Sequence, residues 1–497
     1  MADAADLKRP DPKEAPEVYE ETYVDGPLFE AQRTLYVQSV SGKLRQIKWA
    51  LLVMTLGVYY FLPFVRWDRG PNAPDQAVLI DFPARRFYFF FIEIWPQEVY
   101  YLTGLLVLAS FILFLMNAVA GRIWCGYLCP QTVWTDLFLA VERRIEGDRR
   151  ERMKLHAGPW NAERITKLGS KHFVWLMIAW WTGGAWVLYF ADAPTLVWDL
   201  ATLQAPFVAY LWIGILTATT YALAGFAREQ VCTYMCPWPR IQAALTDEHA
   251  YNVTYKVDRG EPRGSFKKNA ALRAAGEPAG DCIDCNQCVA VCPTGIDIRD
   301  GSQLGCIQCG LCMDACDNVM NKVGLPTGLI AYDSEFNLEQ RLAGKPERSN
   351  ILRPRIILYV VLIAAVAAFM GYTFIGRSSI GVAAMHDRNP LFVRLSDGSI
   401  RNAYTVRVIN KALEDRSFEL SVAGLAELRM EALGTAVMRD DAFSVGVGPA
   451  QTREMRVLVT VPPDSTGPAS QEITFTLSDP QSGETAAARD HFIRPTE

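Results

Sequence analysis

The chain has 497 residues, a formal net charge of −5, and 50% hydrophobic residues beside 21% charged ones. That length suggests about three domains, and the mixture suggests apolar spans joined to polar domains rather than one ordinary soluble enzyme. The charge and the lack of any Lys/Arg run argue against nucleic acid as a partner, and five His argue against bis-His haem or His-ligated metal.

From the N-terminus, MADAADLKRPDPKEAPEVYEE is acidic, contains Pro and does not resemble a secretory signal. Residues 1–46 read as an extended cytoplasmic arm. Five apolar runs then have the roughly 17–25 residues that a bilayer crossing takes: Trp49–Val65, Val99–Ala120, Phe173–Phe190, Phe207–Phe226 and Ile356–Ile375. Tyr and Trp gather at several of their ends, including Tyr59, Tyr60, Tyr100, Tyr101, Trp180 and Trp181, as interfacial belts do. Basic residues crowd the stretches 143–171 and 227–355, while ADAPTLVWDLATLQA between the third and fourth spans has none. By the positive-inside rule the basic stretches are cytoplasmic, the N-terminus is inside and the C-terminus outside.

The segment Asp81–Glu98 is too short and too charged to span, and reads as an interfacial or re-entrant helix. Its Arg85, Arg86 and Glu93 fit snorkelling charges better than a quinone or proton role. After Ile375, runs such as AYTVRVINKA, RSFELSVAG, REMRVLVTVPP and QEITFTLSDPQSG alternate apolar and polar residues between turn formers, the pattern of a β-sandwich.

The 12 cysteines are not scattered. Eight lie between Cys282 and Cys316 and none follows. That distribution is unlike a disulfide scaffold and fits metal or redox ligands in a reducing compartment. Within DCIDCNQCVAVCP and GCIQCGLCMDACD the spacing C-x2-C-x2-C-x3-C occurs twice. In that pattern three thiolates wrap one 4Fe–4S cube and the fourth, displaced one ligates the other. Cluster one is therefore expected on Cys282, Cys285, Cys288 and Cys316, and cluster two on Cys306, Cys309, Cys312 and Cys292. Pro293 follows Cys292 as in bacterial ferredoxins, whereas Asp317 stands after Cys316. Zinc sites commonly use two well-separated C-x2-C pairs, a different arrangement.

The other four cysteines form an internal repeat. Cys125-Gly-Tyr-Leu-Cys129-Pro130 follows the second span and Cys232-Thr-Tyr-Met-Cys236-Pro237 the fourth. On a helix, i and i+4 place both sulfurs of each pair on one face. Soft thiolates, with Met235 as an added thioether, suit Cu(I), Zn or Fe–S. The spacing leaves a redox dithiol and a metal site both open. No mid-membrane His pair suits haem b, and no strand leads into G-x-G-x-x-G.

The union of five spans, two C-x3-C-P repeats, the doubled ferredoxin run and a β-tail resembles the cytochrome c oxidase accessory proteins of the CcoG/FixG/RdxA polyferredoxin type. The resemblance is carried by WCGYLCPQTVWTD, CTYMCPWPR, CPTGIDIRDG and CIQCGLCMDACD, and runs from about Lys43 to the end. It implies a bacterial inner-membrane protein that reduces Cu(II) to Cu(I) for assembly of a cbb-type oxidase, with an immunoglobulin-like periplasmic tail. Copper would be its substrate or ligand, handled by Cys125, Cys129, Cys232 and Cys236 with Met235. Oxidase subunits or copper-delivery factors would be its partners, a cytoplasmic or quinol donor its electron source, and a homodimer one form of its assembly. The competing readings are an electron-donor subunit of quinol dehydrogenase type and a scaffold or redox sensor. The expected fold is a five-helix membrane core with a ferredoxin-like two-cluster insert and a C-terminal all-β sandwich. Its parts are the arm over 1–46, a four-helix membrane region over 47–250, the cytoplasmic ferredoxin domain over 251–350, a fifth transmembrane helix over 351–377 and the sandwich over 378–497.

Overall fold

The computed structural model describes residues 34–348, 350–433, 437–439 and 442–495; most of the expected N-terminal arm lies outside the described residues. The helices that frame the molecule are α1 (Lys43–Phe61), α2 (Tyr100–Ala120), α3 (Pro130–Glu146), α4 (Ala162–Val187), α5 (Phe207–Thr220), α6 (Trp238–Leu245), α7 (Leu311–Val323) and α8 (Pro354–Ile375). Among the described residues four helical segments are long and apolar enough to cross a membrane: Lys43–Phe64, Pro96–Ala120, Phe207–Met235 and Pro354–Ile375. The expected third span differs. It lies in α4, whose first half carries Glu163, Arg164, Lys167 and Lys171, so its uncharged part begins only after Lys171. Asn161 caps this helix by accepting from the Arg164 amide at 2.8 Å.

The segment Asp81–Glu98 is not the expected interfacial helix. Val78–Asp81, Arg86–Phe89 and Ile92–Ile94 form a three-stranded antiparallel sheet, followed by one 3-10 turn at Pro96–Glu98. As in any strand, successive side chains of RFYF and IEI point to opposite faces. The turns fall at Arg85 (φ 56°) and Phe90 (φ 51°), both left-handed. Nor do Arg86 and Glu93 snorkel: Arg86 pairs with Glu93 at 3.1 Å and lies 3.9 Å over the Trp95 ring.

This small sheet is the seat of the C-terminal domain. Trp95 packs against Ile409 and Ala450, and Lys411 bonds Glu98 at 2.7 Å. The domain is two stacked antiparallel sheets. One orders Arg429–Leu433, Gln451–Val461, Ile400–Asn410 and Ile380–His386; the other orders Val437–Arg439, Ala442–Val447, Arg416–Ala423, Ser470–Ser478 and Thr485–Ile493. Alternate residues such as Tyr404, Val406, Phe418, Val457 and Phe475 are fully buried between them.

At its other end α2 meets the cysteine-rich domain. Its 21 residues rise about 31 Å, the thickness of a bilayer core. Antiparallel to it, α8 starts where Arg353 bonds the Ala118 carbonyl and ends where Arg377 reaches the Glu93 carbonyl.

Below the helices lies a buried ionic cluster. Glu142 pairs with Arg152 at 2.6 Å and Arg228 at 2.7 Å, Glu146 with Lys171 at 2.7 Å, and Asp136 with Arg45 at 2.8 Å. Several of the basic residues that signal orientation are therefore consumed internally. Removing one partner of such a cluster strands buried charge, so Glu142→Ala should cost roughly 3–5 kcal/mol, read from unfolding in detergent. Burial raises the Glu142 carboxyl, but Arg228, Arg152 and Lys171 outweigh it and hold it below its ordinary 4.5. A depressed carboxylate stabilises above its unfolded pKa and loses that contribution as pH falls through the folded one. Wild type should therefore lose stability on acidification below 4.5, and the variant should lose less.

Candidate redox centre

The eight ferredoxin-type cysteines line two cavities. Cys282, Cys285, Cys288 and Cys316 surround one, walled by Tyr255, Met320 and Leu329. Cys292, Cys306, Cys309 and Cys312 surround the other, with Ile307 and Leu311; Cys288 lines both. The local sequence explains the wrapping. Each C-x2-C loop carries one left-handed residue, Asp284, Asn286, Gln308 or Gly310, with φ of 53°, 54°, 57° and 71°. Such residues turn the short loops back around a centre. Cys312 and Cys316 then sit one turn apart on α7, yet face different cavities. Asp317, in the place of the ferredoxin Pro, lets α7 continue and accepts from the Gly328 amide at 2.8 Å.

Burial pushes the Cys306 and Cys316 thiols up to about 12, and Cys312 well above its ordinary value. Left free they are neutral, so ligation as thiolates releases protons. Four soft sulfurs per cavity behind apolar walls fit a 4Fe–4S cube in each. Among the described residues no group of three or more His, Cys, Asp or Glu is placed to hold a single metal ion. Arg299 is a neighbour that spacing did not reveal: it bonds Asp297 and Asp284, each at 2.5 Å, and its cation reaches Cys288.

The membrane pairs depart from the expected shared helical face. In each motif the second cysteine leaves the helix: Cys129 has φ −62°, ψ 127° and Cys236 has φ −83°, ψ 122°. The following Pro drives its predecessor out of the helical region. Both motifs close with the same bond, from the second Cys amide to the carbonyl five residues back: Cys129 to Trp124 at 3.0 Å and Cys236 to Val231 at 2.8 Å. The second motif lies in a π-helical turn, Val231–Met235, a form often found at functional sites.

The first motif abuts the loop around the second cavity. A Cβ on Gly126 would lie 2.8 Å from the Ile307 carbonyl and 3.0 Å from Cys309 Cα. Tyr127 donates to the Cys309 carbonyl at 3.1 Å, and Arg122 to the Cys306 carbonyl at 2.9 Å. Buried Gln242 joins the parts: its Oε1 accepts from Arg122 Nε at 3.1 Å and from Cys125 Sγ at 3.6 Å. Gln131, just past Cys129, bonds the Leu223 and Arg228 carbonyls ahead of Cys232. The four thiols thus meet at one face. Burial, with Cys129, Cys232 and Cys236 nearby, pushes Cys125 up to about 12. Cys236 is exposed, as is Met235 at 63%. Arg122 and Gln242 carry no periodic or spacing signal; only their closeness to the cysteine motifs marks them.

The histidines stay apart from the thiols: His172 bonds the Tyr221 hydroxyl and His156 the Tyr36 hydroxyl, each at 3.0 Å.

Known proteins share this arrangement over nearly the whole chain. It is 48% identical to the nitrogen fixation protein FixG of Rhizobium meliloti, over 95% of both chains. The chain belongs to the FixG/RdxA family. RdxA of Cereibacter sphaeroides is 49% identical over 94% of this chain and 98% of its own, and RdxB of the same organism is 51% identical over 82% and 85%. Residues 227–335 match a 4Fe–4S dicluster domain, 102–146 a 4Fe–4S binding domain, and 370–495 the IG-like fold at the C-terminus of FixG. This FixG/RdxA member is a membrane iron–sulfur electron-transfer protein. Gly126→Ala should overpack the junction by roughly 1–3 kcal/mol and shift the EPR signal or midpoint of one cluster only. Gly57→Ala in α1, where a Cβ meets nothing within 4 Å, should leave both unchanged.

Proposed function

We propose that this chain is an inner-membrane relay that takes single electrons on its cytoplasmic side and reduces Cu(II) to Cu(I) for assembly of a cbb-type oxidase. Cluster one belongs to Cys282, Cys285, Cys288 and Cys316, and cluster two to Cys306, Cys309, Cys312 and Cys292. When bound, the two cubes store and pass one electron each. The uncharged part of α4 is the third of five spans and α8 the fifth, the ferredoxin domain is cytoplasmic and the sandwich periplasmic, docked on the short sheet at the far end of α2.

The observation that carries this reading is the junction at Gly126 and Tyr127, where a soft-sulfur face touches the loop of cluster two. Cu(I) prefers thiolate and thioether, so such a face favours the reduced metal. Cys236 and Met235 supply its exposed edge. Arg122 sets a cation beside the second cysteine loop, which favours electron uptake there.

The test is single-turnover reduction. Protein reduced without oxygen should yield one Cu(I) for each reduced cube in the chain, counted with a Cu(I) chelator. Replacing Cys125, Cys129, Cys232 and Cys236 together with Ser should abolish fast reduction while the ferredoxin clusters remain. Unchanged reduction in that variant would remove the membrane thiols from the path, and reduction by a quinol analogue with inert copper would favour the quinol dehydrogenase reading.

A further inference from the structure

The repeat of the C-x-Y-x-C-P motif has a consequence beyond two clusters. Each motif brings two thiols, closes with the same five-residue hydrogen bond and turns its second cysteine into the same extended conformation. The motifs are tied together on both sides: Gln131 reaches back to the Arg228 carbonyl, and Gln242, six residues past Cys236, meets Cys125. Two half-sites of equal form, tied together in this way, bring four thiols into one region.

We propose that Cys125, Cys129, Cys232 and Cys236 jointly hold a third, resident 4Fe–4S cluster at the membrane face. The inference rests on the iron–sulfur reading of the ferredoxin domain and is independent of copper as acceptor. One observation favours a cube over a bound copper ion. Residues 102–146 match a 4Fe–4S binding domain although they contain only Cys125 and Cys129. A cube takes four thiolates, and the structure supplies the missing two from the second motif.

The placement extends the relay. Cys125 packs against the buried cluster of Ile307, Cys309 and Leu311 that walls the second cavity, and Gly126 gives the CIQC loop its close approach. Three centres then stand in series, with Cys236 and Met235 at the exposed end, where copper meets the last one without being enclosed by all four sulfurs.

Iron and acid-labile sulfide per chain decide the matter in protein purified without oxygen. The proposal expects about twelve of each, against about eight for two clusters. The double variant Cys125→Ser/Cys129→Ser should fall by about four iron atoms and keep the spin-coupled EPR signal of the ferredoxin pair. About eight iron atoms in wild type, with or without copper bound to the membrane thiols, overturns the third cluster and leaves the two-cluster reading standing. About four iron atoms, unaffected by substitutions among Cys282 to Cys316, would overturn the two-cluster reading instead. Since the wild-type count decides by itself, a variant that fails to fold does not leave the proposal untested.

Discussion

One steric constraint organises the molecule: the absence of a side chain at Gly126. With 2.8 Å between a would-be Cβ and the Ile307 carbonyl, no other residue lets the CIQC loop sit against the first membrane motif. Tyr127 and Arg122 then fasten the loop through the Cys309 and Cys306 carbonyls. Gly121 repeats the device at the end of α2, where a left-handed turn (φ 51°) leaves room for Asn252 and Gln308. The ferredoxin domain is thereby pressed onto the helices rather than tethered beside them. Electron tunnelling falls off steeply with distance, and this contact brings the first membrane motif directly against the loop of the second cavity.

The helix α2 carries the second constraint. Its two ends hold the two polar domains, Arg122 on one side and Glu98 with Trp95 on the other. A rigid rod of about 31 Å between them fixes a membrane-thick separation, and α8 runs back along it to return the chain. Across that distance the sandwich has no path to the clusters through cysteine, since none follows Cys316. Its buried apolar core and its ionic seat at Lys411 suit a docking domain.

Much of this was legible in the sequence, for identifiable reasons. Cysteine spacing is a local code, so the eight residues that line the two cavities stood out without a structure. The alternation of AYTVRVIN and QEITFTLS is equally local, and the sandwich follows from it. The misreadings share a cause: they depend on what lies across from a residue. RFYFFFIEI was read as helical because its near-continuous apolar run carries no strand alternation, and its turns use Arg85 and Phe90 in left-handed conformations that neither residue advertises. The α4 segment reads as a span from its apolar run after Phe173, and what the sequence does not show is that Lys171, just before that run, pairs with Glu142 and Glu146 on α3. The i,i+4 reading of the C-x3-C-P pairs overlooked what Pro does to the residue before it. Arg122, Gln242 and Arg299 had no signal except proximity in space.

The most direct measurement of the central claim, that electrons leave the ferredoxin clusters for copper through the membrane thiols, is low-temperature EPR of the fully reduced protein frozen at intervals after mixing with Cu(II). The account predicts that the reduced-cluster signals and the Cu(II) signal disappear together, and that alanine at Gly126 slows both to the same extent. Cu(II) persisting beside clusters that stay reduced, or clusters oxidised at an unchanged rate when the membrane thiols are replaced by serine, would contradict it.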